Sequence, residues 1–259
     1  MSDLITVASD HVRAELAPDA GGRLAQLTFD DVPLVIGRGT DLSPIDWGLY
    51  PMVPWAGRIR RGRFTFDGVD HQLPINFGDH AIHGVGFTRP WEVAAHDDRH
   101  ASLMLDMPTD DTWPFGGVAS QQITVDDAGI TLVITATATD AAFPVSLGWH
   151  PWFRKPSKLD FRPSAMYRRD DDHIAVDELV DVPPGPWDDC FVNTEPVRMT
   201  IDGVDLRLTS NNDTWVVYDE PEHATCIEPQ TGPPDAFNLA PRRVDPGDSL
   251  STWYRIARL

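Results

Sequence analysis

Asp-Gly dipeptides placed between alternating apolar and polar residues constrain the fold of this chain more than any other feature. Residues 63–73, RFTFDGVDHQL, and residues 197–209, VRMTIDGVDLRLT, each carry such a dipeptide near the centre. Both residues of an Asp-Gly pair tolerate the positive φ angles that a two-residue hairpin turn requires. Each segment therefore predicts two antiparallel strands joined by a tight turn.

Strand patterns recur along the rest of the chain. A third hairpin is predicted over residues 121–139, a further strand pair over 91–107 and a closing strand over 251–259. No long window combines a helical period with caps at both ends, and 23 prolines and 19 glycines interrupt short runs. These features predict an all-β protein, an antiparallel sandwich or barrel. We interpret residues 154–189 as a long irregular surface excursion and expect residues 1–259 to form one domain.

The charge and the cysteine content exclude several classes of protein. The net charge of the 259-residue chain is −19, which argues against nucleic acid and anionic membranes as partners because both attract basic surfaces. Cys190 and Cys226 are too few for a disulfide framework or a four-ligand zinc site, and they predict reduced thiols. No secretory signal pattern and no apolar run of about 20 residues is found. We expect a cytoplasmic protein, and the sequence predicts no particular oligomeric state.

Two candidate clusters of functional residues lie in the first half of the chain. In VPWAGRIRRGRFTF, Arg58 follows an apolar Pro-Trp pair. The alternative reading is that the arginines of this segment are solvated turn cations, namely Arg58, Arg60, Arg61 and Arg63. In NFGDHAIHGVGF, His80 and His83 are three residues apart among glycines that predict a loop. This spacing is open to a metal pair, but no third strong ligand is nearby. A hydrogen-bonding histidine in a polar cleft is the favoured interpretation.

Two further clusters lie in the second half of the chain. In PVSLGWHPWFRKP, His150 is flanked by large aromatic residues, and the alternative is a structural histidine packed among them. In HATCIEPQTGPP, Glu228 stands at the end of an apolar run that predicts a strand. A carboxylate in that position loses solvation, which raises its pKa towards the range of a general base. The alternative is a glutamate paired with an arginine at the rim of the sheet.

The four clusters together predict an acid–base site that works without a cofactor. One glutamate, one or two histidines, one arginine and an acidic residue lie on separate segments that should meet at strand ends. No glycine-rich phosphate loop follows a strand and opens a helix, which argues against nucleotide binding. The GxSxG pattern of a nucleophile-elbow hydrolase is also absent from the sequence.

From about residue 20 onward, the chain resembles the aldose 1-epimerase (galactose mutarotase) family. The motifs that carry this resemblance are PWAGRIRRGRFTFDG, HAIHGVGFTRPWEV, GWHPWF, PWDDCFVN and IEPQTGPPDAFN. The sequence departs from the family pattern at three positions. Gly57 replaces an asparagine, Trp152 replaces a tyrosine and Asp189 replaces a histidine.

The resemblance implies a fold, a reaction and a set of site residues. The fold would be a single large antiparallel β-sandwich of the galactose mutarotase-like type, with an open sugar cleft on one sheet. Glu228 would be the catalytic base and His150 the catalytic acid, while Arg58, His83 and Asp188 would bind the substrate. The reaction would interconvert the anomers of a free aldose, with neither a cofactor nor a metal.

An aromatic side chain is also expected beside the apolar face of the sugar. The candidates are Trp47, Trp55 and Phe153. Three alternatives to a free-aldose epimerase stay open. A hexose-6-phosphate mutarotase is suggested by Arg89 and by the Arg60 and Arg61 pair. The others are a non-catalytic carbohydrate-binding protein and a metal-dependent sandwich enzyme.

Overall fold

The structure, a computed structural model, describes residues 4–39 and 43–259 and consists almost entirely of β-strands. The strands are β1 (Ile5–Ala8), β2 (Val12–Ala17), β3 (Arg23–Phe29), β4 (Val32–Pro33), β5 (Leu49–Met52), β6 (Arg58–Ile59), β7 (Arg63–Phe66), β8 (Val69–Gln72), β9 (Ala81–Ile82), β10 (Glu92–His96), β11 (His100–Asp106), β12 (Val118–Asp126), β13 (Gly129–Thr137), β14 (Phe143–Val145), β15 (Gly148–Pro151), β16 (Phe153–Arg154), β17 (Lys158–Asp160), β18 (Ala165–Arg169), β19 (Ala175–Val180), β20 (Asp188–Val192), β21 (Val197–Ile201), β22 (Val204–Ser210), β23 (Thr214–Tyr218), β24 (Ala224–Gln230), β25 (Arg242–Val244) and β26 (Ser249–Arg258). The helical segments are 3₁₀ turns at Pro18–Ala20 and Arg60–Gly62 and one short α-helix, α1 (Ala236–Leu239). In the described ranges, no helix is long and apolar enough to cross a membrane.

Two large antiparallel sheets form the frame of the molecule. A twelve-stranded sheet has the order β1-β2-β3-β5-β15-β24-β23-β20-β18-β19, with β4 on β3 and β16 on β24. An eight-stranded sheet has the order β10-β11-β12-β13-β26-β22-β21-β17. Three two-stranded pairs, β6–β9, β7–β8 and β14–β25, complete the fold. The predicted all-β antiparallel architecture is confirmed.

A hydrophobic core joins the two sheets. β12 and β13 bury every second side chain, as expected for strands with one face against a core. One continuous cluster contains Trp215 of the twelve-stranded sheet together with Ile134 and Tyr254 of the eight-stranded sheet. The Tyr254 hydroxyl donates a hydrogen bond to the Ile227 carbonyl at 3.2 Å, which links β26 directly to β24. β24 is therefore anchored from behind by the opposite sheet.

The predicted Asp-Gly hairpins are confirmed. β7 pairs with β8 and β21 pairs with β22, each across a two-residue turn. Asp67 and Asp202 have φ of 50° and 46°, and the glycines that follow them are also at positive φ. These are the backbone angles for which the Asp-Gly pattern is selected.

The interpretation of residues 154–189 as an irregular excursion is wrong. This segment contains β17, which forms an edge of the eight-stranded sheet, and β18 and β19, which form an edge of the twelve-stranded sheet. Exposed strands at a sheet edge commonly carry charged residues. Arg168 and Glu178, for example, form an exposed ion pair across β18 and β19. Such charged residues obscure the alternation of apolar and polar residues by which strands inside a sheet are recognised in a sequence.

Candidate active site

The candidate site is centred on two neighbouring strands in the middle of the twelve-stranded sheet. β15 carries His150 and β24 carries Glu228, and both side chains are almost fully buried. His150 Nε2 lies 3.3 Å from Glu228 Oε1. The expectation that Glu228 ends its strand is wrong, since β24 continues through Pro229 to Gln230. Glu228 thus lies within the strand, where it pairs with Val216 of β23, while β15 lies on the other side of β24.

Burial controls the protonation of this pair. Loss of solvation raises the pKa of the Glu228 carboxyl group well above its usual value, and the nearby Asp188 raises it further. Burial lowers the pKa of His150 to about 3. Both effects disfavour the charged forms, and for Glu228 burial outweighs the opposing effects of Arg58 and Gln230. The two shifts favour a neutral carboxyl group beside a neutral imidazole, an arrangement with one proton for the two side chains.

His83 is the third buried group at this position. It follows β9, at a φ of 59°, and its backbone N–H donates to the Gly57 carbonyl at 3.1 Å. Its ring meets the His150 ring edge to face, with 4.9 Å between the centroids. Burial lowers the pKa of His83 well below its usual value, so the imidazole is neutral. Within residues 4–39 and 43–259, neither Nδ1 of His83 nor Nδ1 of His150 has a hydrogen-bond partner.

Gln230, two residues after Glu228 on β24, completes this group. The side chain is fully buried, and Nε2 donates to Glu228 Oε2 at 3.2 Å. In the described part of the chain, Gln230 Oε1 has no partner. We call these four residues, His83, His150, Glu228 and Gln230, the buried floor. Its unsatisfied polar atoms have hydrogen-bonding capacity left for a polar ligand.

A network of ion pairs forms one side of the site. Asp188, at the start of β20, has Oδ2 at 4.0 Å from Arg58 Nη2 and at 3.1 Å from Arg169 Nη1. Burial raises the pKa of Asp188, while Arg58 and Arg169 act in the opposite direction. Arg169 also contacts Asp189 at 2.8 Å. Sequence reasoning missed Arg169, which lies in the segment taken for an irregular excursion.

Asp235 anchors the turn that presents Arg58. Its carboxylate accepts hydrogen bonds from the Arg60 backbone N–H at 2.9 Å and from Asn238 Nδ2 at 2.8 Å. Its own N–H donates to the Arg58 carbonyl at 2.6 Å. The Pro-Asp-x-x-Asn motif was the signal that could have identified this role. We call Arg58, Arg60, Arg169, Asp188 and Asp235 the arginine wall.

Arg60 connects this wall to the edge of the sheet. It contacts Asp170 and Asp172, each at 2.8 Å, and Asp235 at 3.6 Å. The alternative reading of the arginines in this turn as solvated cations is therefore wrong for Arg60. Through these contacts the loop between β18 and β19 is fixed beside the site.

Floor and wall enclose a cleft of about 220 Å³, lined by both catalytic candidates and by all three predicted binding residues, Arg58, His83 and Asp188. The aromatic candidates named from the sequence are wrong. Trp47, Trp55 and Phe153 are buried and do not line the cleft. The aromatic residues that line it are Phe77, Trp152 and Tyr218.

A stack of aromatic rings supports His150 from beneath. Tyr50 lies parallel to His150 with 4.7 Å between the ring centroids, and the Arg23 guanidinium lies 5.0 Å from the Tyr50 ring. Arg23 is 1% exposed, and burial lowers its pKa to about 10. Its donors reach four backbone carbonyls, those of Ala20, Pro44, Trp47 and Phe87. Arg23 therefore fixes three loops around the aromatic stack.

The site was also considered as a metal site. In the described ranges, one group of three donors lies close together, with ligand atoms of His150, Cys226 and Glu228 within 4.8 Å of one another. The His80 and His83 pair suggested by the sequence is not part of it. Burial raises the pKa of the Cys226 thiol well above its usual value. A metal would need the thiolate, so this donor set favours proton chemistry.

Comparison with known proteins agrees with this geometry. The sequence model of the family described as Aldose 1-epimerase matches residues 3–253. The chain is 27% identical over 137 residues to the Escherichia coli protein YphB, covering 52% of this chain and 47% of YphB. It is 30% identical over 130 residues to an E. coli aldose 1-epimerase, covering 48% of this chain and 37% of that enzyme. The chain thus spans about half of YphB and less of the enzyme.

The structural likeness covers the whole chain. The crystal structure of the GalM/aldose epimerase homologue from C. elegans has a TM-score of 0.85 at 22% identity, covering 100% of this chain and 99% of that one. At this identity the comparison shows the fold. The sandwich architecture implied by the sequence resemblance is confirmed.

Proposed function

Because this chain belongs to the aldose 1-epimerase family, we propose that it interconverts the α and β anomers of a free aldose. The observation that carries the proposal is the buried contact of 3.3 Å between His150 Nε2 and Glu228 Oε1 at the base of the cleft. Mutarotation needs a base at the C1 hydroxyl and an acid at the ring oxygen, with roles that reverse on closure. A pair that shares one proton meets this requirement.

In the proposed ring opening, Glu228 removes the proton from the C1 hydroxyl while His150 delivers a proton to the ring oxygen. The C1–O5 bond breaks, and its electrons remain on the newly protonated oxygen as the C1 carbonyl forms. The aldehyde rotates about C1–C2, and attack of the C5 hydroxyl on the other face of C1 reverses both proton transfers. No proton enters or leaves the pair overall.

Burial favours one of the two protonation arrangements through which the pair passes in this cycle. Ring opening begins from a Glu228 carboxylate and a His150 imidazolium and ends with both side chains neutral. The neutral arrangement is the one that burial favours. The protein therefore stabilises the pair in the form that accompanies the open-chain aldehyde. Before each opening, a proton moves from Glu228 to His150 across the 3.3 Å contact.

The remaining residues are proposed to bind and orient the sugar. Asp188 accepts hydrogen bonds from sugar hydroxyl groups, and Arg58 donates to sugar oxygens. The neutral His83 ring lies beside His150 and donates or accepts a hydrogen bond near the ring oxygen, an electrostatic role. Trp152 supplies an apolar surface for the C–H face of the ring, in place of the aromatic residues expected from the sequence.

Polarimetry of freshly dissolved α-D-glucose and α-D-galactose tests the proposal. We expect the purified protein to accelerate mutarotation above the spontaneous rate and Glu228→Gln to abolish that acceleration. Full activity in Glu228→Gln would remove this residue from the mechanism. A rate no faster than the spontaneous one would instead indicate a carbohydrate-binding protein.

The phosphorylated-substrate alternative gains no support from the site. The arginines that suggested it are engaged by other side chains. Arg60 and Arg61 contact Asp172, and Arg89 contacts Asp110 and Thr112. Parallel assays of glucose and glucose 6-phosphate distinguish the two substrates.

A further inference from the structure

The cleft continues into a second depression, and the boundary between them is acidic. This depression of about 460 Å³ is lined by six residues, Asp46, Trp152, Tyr218, Glu220, Pro221 and His223. Four of them, Asp46, Trp152, Tyr218 and Glu220, also line the cleft. We call this depression the acidic shelf. A substituent on a sugar bound in the cleft would meet it directly.

The two carboxylates of the acidic shelf have no ion-pair partner among the residues that the structure describes. Asp46 accepts a hydrogen bond from the Ser43 hydroxyl at 2.8 Å. Among the described residues, no lysine, arginine or histidine nitrogen lies within 4.0 Å of the Asp46 or Glu220 carboxylate. Lys155 donates instead to the backbone carbonyls of Asp219 and Pro221. Neither carboxylate of the shelf is therefore held in an ion pair within the described part of the chain.

The cations around the cleft do not offset this charge. In the described part of the chain, Arg58 is the one lysine or arginine that lines the cleft or the shelf. It already faces Asp188 at 4.0 Å, and Asp188 is also held by Arg169. An anionic substituent on the shelf would thus meet two carboxylates that have no ion-pair partner among the described residues. The fully buried Gln230 lines the same cleft, and its Oε1, which has no partner among the described residues, can accept a hydrogen bond from a polar ligand.

From this arrangement we propose that Asp46 and Glu220 determine the charge preference of the cleft. An aldose carrying an ammonium group is bound in preference to its neutral parent, and both are preferred over an aldose carrying a phosphate or a carboxylate. The two rings at the boundary add to this preference. Trp152 and Tyr218 lie perpendicular, with 6.0 Å between their centroids, and aromatic faces attract ammonium groups. The proposal rests on the aldose 1-epimerase activity proposed above.

The expected effect is moderate because the shelf is open to solvent. Exposed charge pairs change binding equilibria by factors of about two to five each, and salt weakens them. Two carboxylates acting on one substituent give about a tenfold preference for the cation over the anion. This preference should be largest at low ionic strength.

The test uses aldoses that differ only in the charge at C6. These are 6-amino-6-deoxy-D-glucose, D-glucose and D-glucose 6-phosphate, each followed by exchange NMR against its own spontaneous rate. We expect kcat/KM to fall in that order and the cation-to-anion ratio to shrink as sodium chloride is raised from about 20 to 500 mM. The salt series needs no mutation and so does not depend on any variant folding.

The variants Asp46→Asn, Glu220→Gln and their combination assign the effect to residues. We expect the cation-to-anion ratio to fall about threefold in each single variant and about tenfold in the double variant. Glu222→Gln is the matched control. Glu222 is an exposed carboxylate two residues from Glu220 and lines neither the cleft nor the shelf.

The outcomes separate this proposal from the function on which it rests. If the protein accelerates glucose mutarotation but turns over glucose 6-phosphate equally well or better, the charge preference is wrong and the epimerase activity stands. An unchanged ratio in the double variant would also overturn the roles of Asp46 and Glu220. If no aldose is accelerated, the proposed function fails, and the charge preference fails with it.

Discussion

The buried floor and the arginine wall face each other across one cleft, yet they hold their polar groups by opposite means. On the floor, His150 and Glu228 are surrounded by buried neighbours. Burial lowers the pKa of His150 and raises the pKa of Glu228, and both shifts favour the neutral forms. On the wall, Arg58, Arg169 and Asp188 form ion pairs at 27% exposure or less. Burial on the floor favours neutral side chains that can exchange a proton, whereas the ion pairs of the wall hold charged side chains in place.

This difference follows from where each group sits in the fold. Three floor residues, His150, Glu228 and Gln230, lie on β15 and β24 in the middle of the larger sheet, where strands on both sides impose burial, and His83 packs against His150. The wall is built from a turn, strands β18 and β20 and the loop before α1. Solvent reaches part of the four side chains other than Asp235, which is buried. Proton transfer benefits from a site without counter-ions, and substrate orientation benefits from donors and acceptors that cannot change partners.

The largest effect should come from breaking the floor. Glu228→Gln and His150→Asn should each lower kcat/KM by roughly 10²–10⁴-fold, the usual contribution of an acid–base group. Because the two side chains share one proton, the double variant should lose little more than the worse single variant. Polarimetry with far-ultraviolet circular dichroism as a folding control checks this. Losses that multiply in the double variant would show that the residues act independently.

Breaking the wall at its anchor should cost stability. Asp235→Ala removes the acceptor of the Arg60 N–H and of the Asn238 amide. We expect the free energy of unfolding to fall by about 1–3 kcal/mol, the usual cost of leaving such groups unpaired, with an increase in KM as Arg58 shifts.

Asp235→Asn is the matched control for that change. It retains one acceptor oxygen and tolerates the φ of 66° at this position. Urea unfolding of the three proteins should therefore place Asp235→Asn between the wild type and Asp235→Ala. A loss in Asp235→Asn as large as in Asp235→Ala would assign the effect to the charge instead.

The floor should also shape the dependence of stability on pH. The folded-state pKa of Glu228 is raised. Its contribution to the free energy of unfolding is therefore complete below about pH 4.5 and is lost as pH rises. The folded-state pKa of His150 is lowered to about 3, so its contribution is complete above about pH 6.5 and is lost as pH falls. Each limb has a slope of about 1.4 kcal/mol per pH unit.

Glu228→Gln and His150→Asn should therefore change the pH dependence of the free energy of unfolding in opposite directions. Relative to wild type, Glu228→Gln should gain stability as pH rises above 4.5, and His150→Asn should gain stability as pH falls below 6.5. Urea unfolding between pH 4 and 8 measures both differences. Parallel curves for all three proteins would contradict the neutral pair.

The smallest effect should come from the outer part of the wall. Arg169→Met leaves Asp188 with Arg58 alone, at 4.0 Å, and Arg58 then pairs with Asp188 more often than with substrate. We expect KM to rise by about threefold to tenfold while kcat changes less. Arg162→Met is the control, because Arg162 contacts Asp160 at an exposed site in the same segment. Equal KM values for both variants would separate Arg169 from the site.

Local chemistry explains why part of this molecule could be predicted. The hairpins at Asp67 and Asp202 depend on two adjacent residues, and the family motifs around His150 and Glu228 are short. The arginine wall could not be predicted from the sequence in the same way. Asp235 and Arg60 are separated by 175 residues in the chain, and nothing near either residue identifies its partner.

The choice of aromatic residue shows a finer limit. Phe153 was named as a candidate, whereas Trp152 lines the cleft and Phe153 is fully buried in the core. Adjacent residues in extended backbone point to opposite faces, so an error of one position reverses the prediction. His150 and Trp152 are two residues apart and share a face. Once His150 is placed in the cleft, the period of two selects Trp152.

The position of β26 bears on how the protein is made. β26 lies between β13 and β22 in the middle of its sheet and comes later in the chain than every other strand of that sheet. A ribosome therefore delivers β10 to β13 and β17, β21 and β22 before the strand that joins them. Until residues 249–258 emerge, both halves have an unpaired edge, and β24 lacks its link to Tyr254. During synthesis these edges need protection from other nascent chains.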